Sequence, residues 1–312
     1  MRGAIYRVTN AADRTNGIAP TSLPSTRRKC SFNGMNQSTQ MNYSRALVLL
    51  FVIAGVQSIS GCRGEATKPV NKPVAEQSAK VSKSTVSVGK AARLRHADQS
   101  FDTYKVNYPT EKIELFWKDD EGRKMKSIDT LKAQLEKKGR RLSFATNAGM
   151  YTEDHSPLGL YVEKGKVLKR MNRVEKAFGN FYLQPNGVFL LTSKKAMVVT
   201  RGGYQGIREK VLFATQSGPM LVIDGKLHPA FTKGSKNLAI RSGVGIDSSG
   251  ETVFAISNEP CSFYDFATLF QQQLHCRQAL FLDGTISRMY LPVLQRTEWG
   301  GDFGVMIATS TR

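Results

Sequence analysis

Four short segments of this chain set a polar side chain beside glycine at the edge of an apolar run. They are Asn147-Ala-Gly149-Met150, Gln216-Ser217-Gly218-Pro219-Met220, Arg241-Ser242-Gly243-Val244-Gly245-Ile246-Asp247 and Ala279-Leu280-Phe281-Leu282-Asp283-Gly284, with Thr285 and Ser287 following the last. Glycine lets backbone approach a ligand closely, and functional groups commonly sit in loops carried by rigid scaffolds. An arginine can grip a phosphate through paired N–H donors. Aspartates can serve as acid, base or nucleophile. The carboxylates in or near these segments are Asp283, Asp247 and Glu259, and Asn147, Gln216, Ser217, Gly218, Gly284 and Ser287 are their other polar and glycine positions. Taken singly, each segment also reads as an ordinary turn, and Arg241 as a surface salt-bridge partner.

Other chemistry finds little support. The sequence has no Walker loop, no G-x-S-x-G, no C-x-x-C and no H-E-x-x-H. His96, His155, His228 and His275 are scattered without metal-ligand spacing. No cofactor and no metal site is expected, although a structural divalent cation such as calcium is left open.

The elements that must position these residues are mostly strands. Alternation marks Lys112 to Trp117 as a half-buried strand, and Leu142 to Asn147 reads as a buried one. Leu158–Val162 and Lys166–Leu168 flank Lys164-Gly165, while Val188–Leu191 and Met197–Thr200 flank Ser193-Lys194-Lys195. Met220 to Ile223 leads into Asp224-Gly225, a strong hairpin signal. Val244–Asp247 and Thr252–Ser257 pair around Ser248-Ser249-Gly250, and Ala279–Leu282 and Val305–Ala308 close the set. A capped amphipathic helix is expected from Ser127 to Gly139 and a second from Ser262 to His275. The fold class expected is α+β, a mainly antiparallel or mixed sheet with a few inserted helices in one domain. Cys261 and Cys276 bracket the second helix. Its length of about 20 Å argues against a bridge between its ends, so both are expected as buried thiols.

Charge and organisation place the chain in the cell. Of the net +20, residues 1–97 hold 15 Lys and Arg against 3 Asp and Glu, so much of the basicity lies ahead of the folded part. A basic tail beside an anionic membrane accounts for this better than nucleic acid, which is not expected as a partner. Arg45, the apolar run Ala46–Val56 and Ile59-Ser60-Gly61-Cys62 form a secretory signal. The run is too short to span a bilayer, and Ile-Ser-Gly-Cys resembles a bacterial lipobox that would lipidate Cys62. Residues 1–40 lack periodicity and are expected to be a leader ahead of a true start at Met41, with Met35 the alternative. Residues 63–97 read as a flexible tether and 98–312 as the folded domain. The expected location is the cell envelope, anchored by lipid and facing the periplasm or exterior.

The glycine-flanked segments, in this order, resemble the phosphodiester glycosidase family, the group that includes the lysosomal uncovering enzyme. The resemblance runs from about Lys112 to Ala308. It includes Asn147-Ala-Gly-Met with Gly159-Leu160-Tyr161, then Asn186-Gly187-Val188-Phe189 and Ser217-Gly218-Pro219-Met220-Leu221. It continues through Arg241 with Val244-Gly245-Ile246-Asp247 and ends on Ala279 to Gly284. One departure is Thr285-Ile286-Ser287-Arg288, where the family often carries a second glycine and small residues. The resemblance implies hydrolysis between a sugar anomeric carbon and a phosphodiester, with a phosphorylated glycan as substrate. The catalytic candidates it implies are Arg241 against the phosphate, Asp283 as first choice of carboxylate and Asp247 as second, with Glu259 a remote third. It also makes Asn147, Gln216, Ser217, Gly218, Gly284 and Ser287 candidates for binding sugar hydroxyls or phosphate oxygens. The competing readings are a non-catalytic envelope module that binds anionic glycan through aromatics such as Tyr151, Tyr161 or Trp299, and a purely structural lipoprotein.

Overall fold

Three antiparallel sheets share one core in the computed structural model, which describes residues 86–283 and 286–312. The largest has eight strands. Its inner members are Gln99–Val106, Thr252–Ser257, Ser242–Asp247 and Cys276–Phe281, in that spatial order. A five-stranded sheet is centred on Phe213–Ser217, and another on Arg141–Asn147, which lies between Met289–Leu291 and Met306–Thr311. The helical part among the described residues is small. The helix Ile128–Lys137 starts on the Ser127 hydroxyl, which accepts from the Thr130 N–H, so the expected cap is present.

The eight-stranded sheet is buried on both faces, which is why its inner strands are near-continuous apolar runs. One face packs Val244, Phe254, Ile256 and Leu280 into a core shared with Phe144, Phe189 and Ile307. Phe254 lies 4.9 Å from Phe144 and 6.0 Å from Phe189, the second pair edge to face. The other face lies under Phe263, Phe266 and Phe270. Gly243 and Gly245 permit that approach. A Cβ at 243 would stand 3.1 Å from the Phe270 ring, and one at 245 would stand 2.7 Å from Cys276 Sγ.

Two expectations change. The second helix is shorter than Ser262 to His275: an α-helix over Phe263–Thr268, capped by Ser262, passes into a π-turn over Leu269–Gln273. Cys261 and Cys276 are buried free thiols, as expected. The tether drawn to residue 97 ends earlier, because Val86–Val88 and Ala91–His96 are strands. Ala91–His96 pairs with Gln99–Val106 along its whole length, around a turn in which Ala97 and Asp98 both take positive φ. Residues 1–85, with Cys62 and the signal segment, lie outside the described residues, as does Gly284.

Candidate functional site

Three strand ends from two sheets converge on the backbone of Asp283. Asn147 is the last residue of Arg141–Asn147, Ser242 the first of Ser242–Asp247, and Asp283 stands two residues past Cys276–Phe281. The Asn147 side-chain amide donates to Ser242 Oγ at 2.9 Å and to the Asp283 carbonyl at 3.2 Å. Ser287 Oγ donates to the same carbonyl at 2.8 Å, and the Asp283 N–H donates to the Ala148 carbonyl at 3.2 Å. Asn147 Oδ1 accepts the Arg288 N–H at 3.1 Å, and Thr146 Oγ1 donates to the Arg288 carbonyl at 2.9 Å. Buried polar groups with every partner supplied hold one geometry. Asp283, Ser287 and Arg288 are therefore held in place from the end of one strand. Tyr151 lies beside Asp283 and Asp302; burial above all, then those carboxylates, push its hydroxyl well above the usual phenol range. His155 stacks on Tyr151 with ring centres 5.6 Å apart and meets Asp302 at 2.7 Å.

Next to this junction opens a cleft of about 750 Å³, lined by residues that include Ser287, Arg288, Arg296, Glu298 and Asp302. Arg296 donates from Nη1 to Asp102 Oδ2 at 3.1 Å and from Nη2 to Glu298 Oε1 at 2.8 Å. Asp102 is fully buried and also takes Arg93 Nε at 2.7 Å. Burial raises its carboxyl, but the two arginines overcome that and hold it below the ordinary range.

Not all the sequence-predicted residues reach this place. Asp283, Asn147 and Ser287 do, but the Asn147 amide is spent on Ser242 and the loop backbone rather than turned to a ligand. Arg241 precedes Ser242 and so points to the opposite face of the strand, under the aromatic helix. Its Nε donates to the Cys261 carbonyl at 2.9 Å, its Nη2 to the Asn237 carbonyl at 2.8 Å, and its Cζ lies 3.6 Å from the Phe263 ring centre. It is 1 % exposed, and burial lowers its pKa to about 10. The phosphate contact expected of Arg241 is corrected to a structural role, because the side chain is enclosed and its Nε and Nη2 are turned inward onto carbonyls.

Asp247 closes the turn at the far end of the same strand, about 17 Å away at 3.4 Å per residue. It meets Lys105 at 2.8 Å and accepts from the Ser249 and Glu251 N–H groups, so it anchors a hairpin. Glu259 accepts from the Ser100 N–H at 2.9 Å. Gln216 Oε1 accepts from Leu160 N–H at 3.0 Å and Asn172 N–H at 2.9 Å, and its Nε2 donates to the Asn172 carbonyl. Gly159 packs on that amide, where a Cβ would meet Oε1 at 2.3 Å. Gln216 is thus a buried strut rather than a sugar ligand. Ser217 is wholly buried, and Gly218 presses on Asn186 and on the Phe181 carbonyl. Sequence reasoning missed Ser242, Arg288 and Arg296 as site residues. Ser242 sat inside a quoted segment and Arg288 inside the departure from the family pattern; Arg296 had no signal.

The architecture is thus an antiparallel domain whose sheets pin an Asp-bearing loop over a polar cleft. The phosphodiester glycosidase family model matches residues 140–303, and the chain belongs to that family. A protein of Escherichia coli (strain K12), described as uncharacterized protein YigE, is 37 % identical over 188 residues, 60 % of this chain and 73 % of that protein. Among solved structures, the zebrafish N-acetylglucosamine-1-phosphodiester alpha-N-acetylglucosaminidase catalytic domain, auto-inhibited by its pro-peptide, is similar with a TM-score of 0.50. It shares 13 % identity, and the match covers 73 % of this chain and 81 % of that one. At that identity the likeness is one of fold.

Proposed function

We propose that this chain hydrolyses a glycosyl phosphodiester at the cleft beside Asp283. The observation that carries the reading is the convergence of Asn147, Ser242 and the Asp283 backbone, drawn from separate glycine-flanked segments and joined by Ser287, at the edge of that cleft. In the reaction, water oxygen adds to the anomeric carbon and the bond from that carbon to the phosphate oxygen breaks. The sugar leaves with a hydroxyl and the acceptor keeps a phosphate monoester. We assign to Asp283, whose backbone sits at that junction, the role of taking the proton from water or supporting the oxocarbenium-like transition state. Because the leaving phosphate is already anionic, it needs less protonation than an alcohol. One carboxylate therefore suffices.

The test is incubation of the full chain with a sugar-1-phosphate diester, with release of free sugar as the readout. Turnover that falls at least 100-fold in Asp283→Asn supports the assignment. Binding of the diester without turnover by the unaltered chain, across several sugars, overturns it in favour of a glycan-binding module. For location we propose export and lipidation at Cys62, on the strength of the segment from Met41 to Cys62. Incorporation of a labelled fatty acid that persists in Cys62→Ser would reject this.

A further inference from the structure

We infer that Arg288, with Arg296 behind it, forms the anion subsite of the cleft, and that it takes the monoanionic phosphate of a diester; the substrate part of this assignment rests on the hydrolase reading above. The argument begins with the charged groups that line the cleft. Arg296 is matched to Asp102 and Glu298. The second Glu298 oxygen accepts the Met289 N–H at 2.8 Å, and an Asp302 oxygen lies 2.7 Å from His155 Nε2. Among the described residues, the Arg288 guanidinium alone of this set makes no hydrogen bond and no ion pair, and its Nε is buried with no acceptor. Arg296 Nε is likewise buried without one. Buried donors are nearly always satisfied, and an orphan calls for an explanation. Two such guanidinium donors lining one cleft are explained by an anionic ligand.

The position is also built in advance. The Arg288 backbone is held from both sides by Asn147 Oδ1 and Thr146 Oγ1, so the side chain leaves a fixed point, and little ordering is needed when an anion arrives. A guanidinium offers a planar fork of donors that matches two phosphate oxygens. Charge matching then selects the ligand. With Glu298 and Asp302 nearby, one unmatched cation suits a single negative charge. A phosphate monoester dianion would bring a surplus charge toward those carboxylates. The subsite should therefore favour a diester over the monoester that hydrolysis leaves behind, which assists product release.

The experiment needs no turnover. Dimethyl phosphate, inorganic phosphate and uncharged trimethyl phosphate are titrated into the full chain and followed by protein-observed NMR. We expect dimethyl phosphate to bind, trimethyl phosphate to leave the spectrum unchanged, and Arg288→Gln to weaken dimethyl phosphate binding at least tenfold. Arg288→Lys keeps the charge but loses the fork, and should fall between the two; it also serves if the glutamine variant fails to fold. Equal affinity for dimethyl phosphate in all three proteins overturns the subsite, whatever the turnover assay gives. Binding that is lost in Arg288→Gln establishes the subsite even if no sugar diester is ever hydrolysed, so the two readings fail separately. Where turnover is present, the same variant should raise KM at least tenfold with a smaller change in kcat.

Discussion

Arg241 and Arg288 both adjoin the junction at Asp283, the first through its neighbour Ser242 and the second through Asn147, yet their surroundings are opposite. Arg241 is enclosed under the helix face, with Nε and Nη2 matched to the carbonyls of Cys261 and Asn237 and its plane against Phe263. Arg288 lines a cleft, and among the described residues its guanidinium has no partner. Stacking and paired carbonyls allow a guanidinium to be buried without a carboxylate, at the cost of a lowered pKa. Such a group ties the segment around Asn237 to Cys261, with Nε and Nη2 already engaged and the side chain enclosed. An arginine kept as a binding group must be left incomplete. Residue type alone did not separate the two; the face of the strand did.

The comparison breaks most sharply at Arg241. Arg241→Met keeps much of the stem but removes the hydrogen bonds to the Cys261 and Asn237 carbonyls and the stacked plane, and should cost about 3 kcal/mol of stability. Urea unfolding measures it. A variant of undiminished stability that binds dimethyl phosphate poorly would show that Arg241, not Arg288, meets the anion. A somewhat smaller loss, about 2 kcal/mol, is expected of Gln216→Ala, which leaves the buried N–H groups of Leu160 and Asn172 without their acceptor. Its KM should not move; a raised KM with unchanged melting would return Gln216 to the substrate.

These assignments also mark what the sequence could say. The hairpins at Lys164-Gly165 and Asp224-Gly225 were legible because both residues of each turn have positive φ and glycine advertises that need. The turn Ala97-Asp98 adopts the same conformation, but alanine signals nothing, and Arg93 and Arg95 in the strand before it read as tether. For the site, Asp283 and Asn147 stood out as polar groups ending apolar runs. The inward fate of Arg241 was hidden because alternation along a strand gives two faces without saying which is covered. Gly243 and Gly245 held that information. Small residues on the Arg241 face mean that something packs closely there, and it is the Phe266 and Phe270 rings. Arg296 belongs to the cleft only through the pairing of Met289–Leu291 with Arg296–Thr297, a long-range fact no local pattern carries.

Asp247 gives the smallest effect and tests the far end of the same strand. Burial raises its carboxyl, but Lys105, the Ser249 hydroxyl and the Glu251 N–H outweigh that, and the folded-state pKa lies below the ordinary aspartate value. A carboxyl whose pKa is depressed by folding stabilises the folded state above its unfolded pKa of about 3.9. That contribution is lost as pH falls through the lower, folded value. Asp247→Asn should therefore be less stable than the unaltered chain by about 1 kcal/mol at pH 7, and the gap should close progressively below about pH 4. Unfolding by urea at pH 7 and at pH 3 reads both quantities. Turnover at neutral pH should be unchanged, because the carboxyl lies a strand's length from Asp283. A variant that melts normally yet loses turnover would put Asp247 back among the reacting groups, and would require the cleft to extend to the opposite end of the sheet.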